Sequence, residues 1–374
     1  MNAPAISLIV SPSGSVTART WQTPAAKTSS QKVDLGGLDG RVLRVFERWL
    51  MEYERRWNRE DIRVFGQLLH RRLFSGPLWS WVEERLAQRG PNLVRLQLSF
   101  PTDAASSRLA ALPWEYLCAP DRQGGQDGEF LVLTPGLMLS RSVPPGTPQR
   151  APLSADRVRV LVVVGEAQTD WLGEVDYQPV LDVLEESDLK PAFDVLEPAV
   201  EVTRTELAKR VRAQEGRPHV LHYIGHGRFD RDSGKGSIAL HGEDGGPDWV
   251  DEDALADAVC TDTWAPTVVV LHACEGGSTD YEYRYAGLAP TLVRRGVQCV
   301  VAMQYPVTNE TANDFSGSLY DALAAGQYLD EAVQTARQHI WATSGDARLL
   351  GVPMVYQRNA APLLGVPAGK DGTG

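Results

Sequence analysis

The chain is poor in cysteine: four residues in 374, Cys118, Cys260, Cys274 and Cys299. None forms a CxxC pair, so neither a disulfide framework nor a zinc knuckle is indicated, and a reducing compartment with free thiols fits. No run approaches 18 apolar residues, and the N-terminus lacks a basic segment followed by an apolar stretch; a soluble, cytoplasmic protein without membrane contact is expected. There is no phosphate-binding GxxxxGKS/T, no heptad pattern and no internal repeat, and no cofactor is implied. Positive charge is in deficit, 37 Lys and Arg against 48 Asp and Glu, for a net charge of -11. That balance argues against direct nucleic-acid binding. The deficit is uneven: residues 1–150 carry 19 basic and 14 acidic side chains, whereas residues 151–374 carry 18 and 34. An acidic surface of this kind serves solubility first and would also attract basic peptide segments.

What is present is a hydrophobic fraction of 43%, ample for a core, in a length that suits two domains or one large α/β unit with an N-terminal addition. Residues 5–10 and 16–21 alternate and flank Ser11-Pro12-Ser13-Gly14, which predicts a hairpin. Residues 22–36 read as a loop. Apolar spacing predicts helices over 38–56, 59–74 and 78–88, the last bounded by Gly76-Pro77 and Gly90-Pro91, with the arginines of the first on its solvated face. Strands follow at 92–100, 130–133 and 137–141, and residues 143–153, rich in proline, form the best linker in the chain.

Beyond the linker the order becomes strand, helix, strand. Val158 to Val164 is a continuous apolar run, as in a strand covered on both faces. A helix over 177–186, a strand over 193–197 and a helix over 203–214 follow, with Thr203 as cap and Glu206 at the capping-box position. After the strand that ends near Gly225, residues 228–248 read as a polar, Gly-rich excursion, and a helix is expected over 251–259. A second apolar strand ends at Cys274. Residues 278–285 read as a loop, with helices over 286–295, 311–325 and 329–340, a strand over 298–303, and a short edge strand over 353–356. The expected organisation is an N-terminal α+β appendage, 1–150, packed on an α/β domain with a doubly wound parallel sheet, 151–360, and a flexible tail, 361–374.

Two strand ends carry reactive side chains: His226 in Tyr223-Ile224-Gly225-His226-Gly227, and Cys274 in Leu271-His272-Ala273-Cys274-Glu275-Gly276-Gly277. In a parallel sheet both would emerge on one rim, where open α/β sheets place their ligand sites. A cysteine nucleophile with a histidine base needs little more, since a thiol is acidic enough to be activated by a base alone. Gly225 and Gly227 would let the backbone turn tightly, and the amides of Gly227 and Cys274 would face a developing oxyanion. Three other readings stay open. A lone buried cysteine is usually inert, His222, His226, His272 and Cys274 form a set that would hold zinc, and the chain would also work as a binding or scaffold protein without catalysis. His222 and His272 lie an even number of residues before His226 and Cys274, hence on the same side of their strands. Glu275 projects elsewhere.

The His226 and Cys274 contexts resemble the catalytic dyad of CHAT-domain caspase-like cysteine peptidases, a group with separase, caspases, gingipains and legumain. The resemblance extends to Leu112-Pro113-Trp114-Glu115-Tyr116-Leu117, to Ala286-Gly287-Leu288-Ala289-Pro290 and to the stretch from Gly296 to Val307, about residues 60 to 358 in all. It implies a caspase-like three-layer sandwich with a mainly parallel sheet. The implied function is a regulated endopeptidase acting on selected protein substrates, an effector in bacterial defence or cell death switched on by a sensor or regulatory protein. By the same resemblance the segment after Met303 forms the pocket for the residue preceding the cut, which here gives Gln304, Tyr305, Asn309 and Glu310. Asn309 stands where an acidic residue is expected, so a basic preference would rest on Glu310, Asp230, Asp232 or Asp280. Trp114 is expected as a wedge between the N-terminal part and the rest.

Overall fold

The computed structural model describes residues 5–11, 13–20, 26–33, 37–50, 52, 56–88, 93–100, 109–121, 128–143, 157–165, 175–186, 189, 191–213, 216–230, 235–273, 287–305 and 307–358. The expected linker falls almost wholly outside these residues, as do the tail, the loop at 278–285, and Cys274, Glu275, Asp232 and Asp280.

The strands are β1 (Ala5–Val10), β2 (Ser15–Thr20), β3 (Ala26–Lys32), β4 (Val94–Ser99), β5 (Cys118–Ala119), β6 (Glu129–Phe130), β7 (Leu137–Ser142), β8 (Val158–Gly165), β9 (Phe193–Val195), β10 (Val220–Gly225), β11 (Gly227–Asp230), β12 (Lys235–His241), β13 (Pro247–Asp251), β14 (Val268–Ala273), β15 (Cys299–Met303) and β16 (Pro353–Gln357). The helices are α1 (Gly37–Leu50), α2 (Arg59–Leu73), α3 (Gly76–Ala87), α4 (Gln178–Glu185), α5 (Arg204–Arg212), α6 (Glu252–Val259), α7 (Leu288–Arg294), α8 (Asn309–Ala324) and α9 (Leu329–Ser344).

Eleven strands join in one sheet in the order β3-β2-β1-β4-β7-β16-β15-β14-β10-β8-β9. The run β15-β14-β10-β8-β9 is parallel throughout. These strands are rich in Val, Ile and Leu because helices cover both faces; Arg159, Asp194, His222 and His272 are the polar exceptions. One face packs Val162, Ile224, Val270 and Val301 under α4, α8 and α9; the other packs Val163, Leu221, Leu271 and Val300 under α5, α6 and α7. The result is the expected three-layer arrangement with a mainly parallel sheet.

The N-terminal α+β part extends that sheet. β1, β4, β7 and β16 run parallel to one another, and β16 meets β15 antiparallel. β16 is therefore an interior strand, a correction to the edge strand read from sequence: all five of its residues are buried. Residues 26–32 are a strand rather than loop. β3 is the outer edge of the sheet, and its Ala-Lys-Thr-Ser-Ser-Gln-Lys sequence carries no apolar alternation to reveal it. The excursion after His226 is likewise a separate three-stranded antiparallel sheet, β11-β12-β13. Residues 131–133 form a 3-10 turn after β6. Helix α3 takes in Gly76-Pro77 as its first turn, where a proline costs no hydrogen bond. Thr203 caps α5 in a complete capping box with Glu206.

Candidate active site

In β10 and β14 the register pairs His222 with Val270, Ile224 with His272 and Gly225 with Ala273. His226 and Cys274 are the next residues in the chain after these two adjacent, co-directional strand ends. Cys274 itself lies outside the described residues, and the side chain of Asp230 is not described.

The backbone carbonyl of His226 is held by two donors. The Tyr223 hydroxyl lies 2.8 Å from the His226 carbonyl oxygen and 2.9 Å from that of Ala239, while the Ala239 amide donates to the same His226 carbonyl at 2.9 Å. Tyr223 reaches this position by crossing Gly225 and Gly165, the paired last residues of β10 and β8. A β-carbon at Gly225 would sit 2.6 Å from the phenol oxygen and 2.7 Å from the Gly165 α-carbon. The glycine before His226 is thus required by packing beneath the loop, a different reason from the tight turn read in the sequence. Gly227 opens β11, opposite Ile238. The His226 side chain is only 2% exposed, so the open rim expected for it is covered in this conformation.

Beneath this edge lies a column of neutral polar groups. His272 is buried, with neither ring nitrogen hydrogen-bonded. Its ring centroid lies 5.7 Å from that of His222, whose Nδ1 is 2.9 Å from the Tyr320 hydroxyl of α8. Burial pushes His272 down to about 4. Burial also holds His222 well below the ordinary histidine value, with a further contribution from His272. Both imidazoles are therefore neutral at pH 7. Among the described residues no cluster of three or more His, Cys, Asp and Glu has the arrangement to hold a metal ion.

The residues expected around the substrate separate. Gln304 is turned inward: its amide donates to Glu115 at 2.8 Å and to the Gly351 carbonyl at 2.5 Å, and its oxygen accepts from Arg141 at 3.2 Å. Tyr305 is buried, its ring 6.5 Å from that of Tyr116. Asn309 and Glu310 open α8, Glu310 exposed and Asn309 half-buried with its side-chain oxygen buried and unpartnered.

Gln304 joins a buried cluster that sequence reading did not assemble. Glu115, of the Leu-Pro-Trp-Glu-Tyr segment, forms a two-bond ion pair with Arg141 of β7, at 2.9 and 2.5 Å. Trp114 is fully buried, stacked on Phe100 with its indole N–H donating to the Leu109 carbonyl at 2.8 Å; both partners lie within the N-terminal part. Tyr116 donates to the Arg348 carbonyl at 2.6 Å. A local signal for this cluster in the sequence is an arginine at the same strand parity as Leu137 and Leu139.

The other cysteines are buried thiols. Burial raises Cys118 to about 12 and Cys299 well above its usual value, so neither is a thiolate near neutral pH.

Residues 63–362 match the CHAT domain, and the chain belongs to the CHAT-domain family. Among solved structures it is similar to the Arg-specific cysteine proteinase gingipain R, at 11% identity and a TM-score of 0.47 over 76% of this chain and 69% of that one. A complex of the Porphyromonas gingivalis RgpB pro- and mature domains gives 12% identity and 0.47, over 77% and 69%. The Saccharomyces cerevisiae separase–securin complex gives 15% identity and 0.41 over 78% of this chain, which corresponds to 17% of the separase chain. No curated protein matches the sequence. Among the described residues no helix is long and apolar enough to cross a membrane.

Proposed function

We propose that the chain is a cysteine endopeptidase with His226 and Cys274 as its dyad. The observation that carries this reading is the parallel register of β10 and β14, which pairs Gly225 with Ala273 immediately before the two residues. His226 takes the thiol proton, the Cys274 sulfur adds to a peptide carbonyl, and the proton passes from the imidazole to the leaving amine. Water then cleaves the thioester, releasing the acid and the free thiol. The backbone amides of Gly227 and Cys274 are assigned to the oxyanion. Family membership supports proteolysis. A cytoplasmic setting, selected protein substrates, an activating partner and a role in bacterial defence or cell death belong to the same proposal.

The test is intact-mass measurement after brief exposure to a thiol-reactive electrophile, together with a peptide-library cleavage profile. Because Cys118, Cys260 and Cys299 are buried, one rapid adduct is expected on the native protein, at Cys274, and four on the unfolded chain. Cleavage that persists in purified Cys274→Ala protein refutes the dyad. Absence of any native-state selectivity favours the scaffold reading instead.

A further inference from the structure

Helix α8 descends from the edge of the sheet that bears His226. It starts six residues after β15 ends, and its Tyr320 meets His222 in the middle of β10. At 100° per residue, Asn309, Asn313 and Tyr320 fall within about 40° of one another, on a single stripe of the helix. Going back from Tyr320, Asn313 lies about 10 Å and Asn309 about 16 Å higher along the helix. His226 lies four strand residues above His222, about 13 Å at extended spacing. The two asparagines therefore bracket the level of His226, on the sheet face shared by His222 and His272.

Both asparagine side-chain oxygens are buried and accept no hydrogen bond. One step below, the two nitrogens of His272 and the Nε2 of His222 are also buried and unpartnered. An unsatisfied buried polar atom is destabilising, so a run of them along one stripe signals a missing partner rather than packing. The acidic side chains of α8, Glu310, Asp314 and Asp321, are exposed on other faces of the helix. Among the described residues the stripe thus offers amides and neutral imidazoles but no carboxylate.

On the basis of the peptidase reading above, we propose that Asn309 and Asn313 line the pocket for the residue preceding the cut, and that they select a carboxamide side chain, glutamine or asparagine. An amide guest supplies N–H donors to the asparagine oxygens and accepts from their N–H groups, leaving neither side unpaired. A guanidinium also donates, but it would bring a charge into a site that offers no described counter-charge. An aliphatic side chain leaves both oxygens unsatisfied, and a carboxylate sets acceptor against acceptor. Sites built to hydrogen-bond a substrate group reject analogues that lack it far better than apolar sites reject an extra methylene.

The test uses peptidyl electrophiles identical except for Gln, Arg, Leu or Asp at the residue next to the warhead, with the rate of adduct formation at Cys274 read by intact mass. The Gln reagent is expected to react at least tenfold faster than the Arg and Leu reagents, and Asp slowest. Asn313→Asp and Asn309→Asp change shape little, and each is expected to move the preference at least tenfold toward Arg. A cooperative melt identifies each variant that has folded, and either one alone suffices. Rates that do not depend on the varied residue, or a preference that both carboxylate variants leave unchanged, overturn the pocket but not the peptidase reading. Failure of every reagent to label Cys274 overturns both.

Discussion

Two buried polar clusters lie on the same sheet and differ in one respect. At β7, β16 and β15, the side chains of Glu115, Arg141 and Gln304 find one another and the Gly351 carbonyl. At β10, β14 and α8, the side chains of His222, His272, Asn309 and Asn313 keep five buried atoms without a partner. A satisfied network fixes one arrangement and does no more. An unsatisfied one is tolerated in a folded protein when something else is to occupy it. On that reasoning the first cluster joins the N-terminal part to the rest, and the second is the one that suits the proposed site.

The sharpest way to break this comparison is at the site itself. His226→Gln keeps a buried side chain of similar bulk, whereas alanine would leave a hole at a residue only 2% exposed. The glutamine variant is expected to lower cleavage by roughly 10²–10⁴-fold, the usual range for a lost general base, with the melting temperature held close to that of the wild type. Full activity in that variant would remove His226 from the chemistry. Next in size, residues 151–360 expressed alone should aggregate or melt without cooperativity, because β16 loses β7 and Tyr305 loses its cover from Tyr116. A monodisperse fragment with a sharp melt would show that the joint is dispensable.

Glu115→Ala tests the satisfied cluster directly. It strands the Arg141 guanidinium in the interior and is expected to cost about 3–5 kcal/mol of stability by chemical denaturation, the usual penalty for breaking a buried pair. A loss under about 1 kcal/mol would place this pair with exposed ones.

The unsatisfied cluster should respond to acid. The folded value for His272, about 4, lies below the unfolded one near 6.5. The unfolded chain therefore binds protons first as pH falls. The contribution is fully present above about pH 6.5 and fades on the way to pH 4, with a slope of roughly 1.4 kcal/mol per pH unit for one histidine. His222 is the titratable group recorded beside it, itself bonded to the Tyr320 hydroxyl, and His222 acts in the same direction. His272→Leu should flatten this slope relative to wild type in denaturation curves between pH 6.5 and 4; an unchanged slope would mean that water or a partner reaches His272. The smallest expected effect lies outside both clusters. Thr203→Ala removes the α5 cap and should cost about 1 kcal/mol, a yardstick for the others in the same melting experiment.

Much of the α/β core could be read from the sequence because burial on both faces writes itself as runs of apolar residues, as in Val160–Val164 and Cys299–Met303. The helices were readable for a related reason, their 3.6-residue spacing, and the Thr203–Glu206 box even fixed a boundary. What escaped was whatever depends on distant partners. The five residues of β16 give no sign of which strands flank them. β3 is too polar to alternate, and β12 and β13 hide in a Gly-rich stretch. Likewise Glu115 and Gln304 are 189 positions apart, and nothing local marks them as neighbours. At the site, histidine and glycine at the strand end were visible, but Tyr223 lying across Gly165 and Gly225 was not, because a buried tyrosine on a strand reads as ordinary core.

The interior position of β16 also bears on how the molecule is made. Among the described residues, 353–357 supply the only strand that links the β1-β4-β7 block to the β15-β14-β10-β8-β9 block. During synthesis both blocks emerge from the ribosome first, each with an unpaired sheet border. Until β16 slides between them, a newborn chain has two half-sheets that invite pairing with other chains, and translation speed through the codons between β15 and β16 sets how long that exposure lasts.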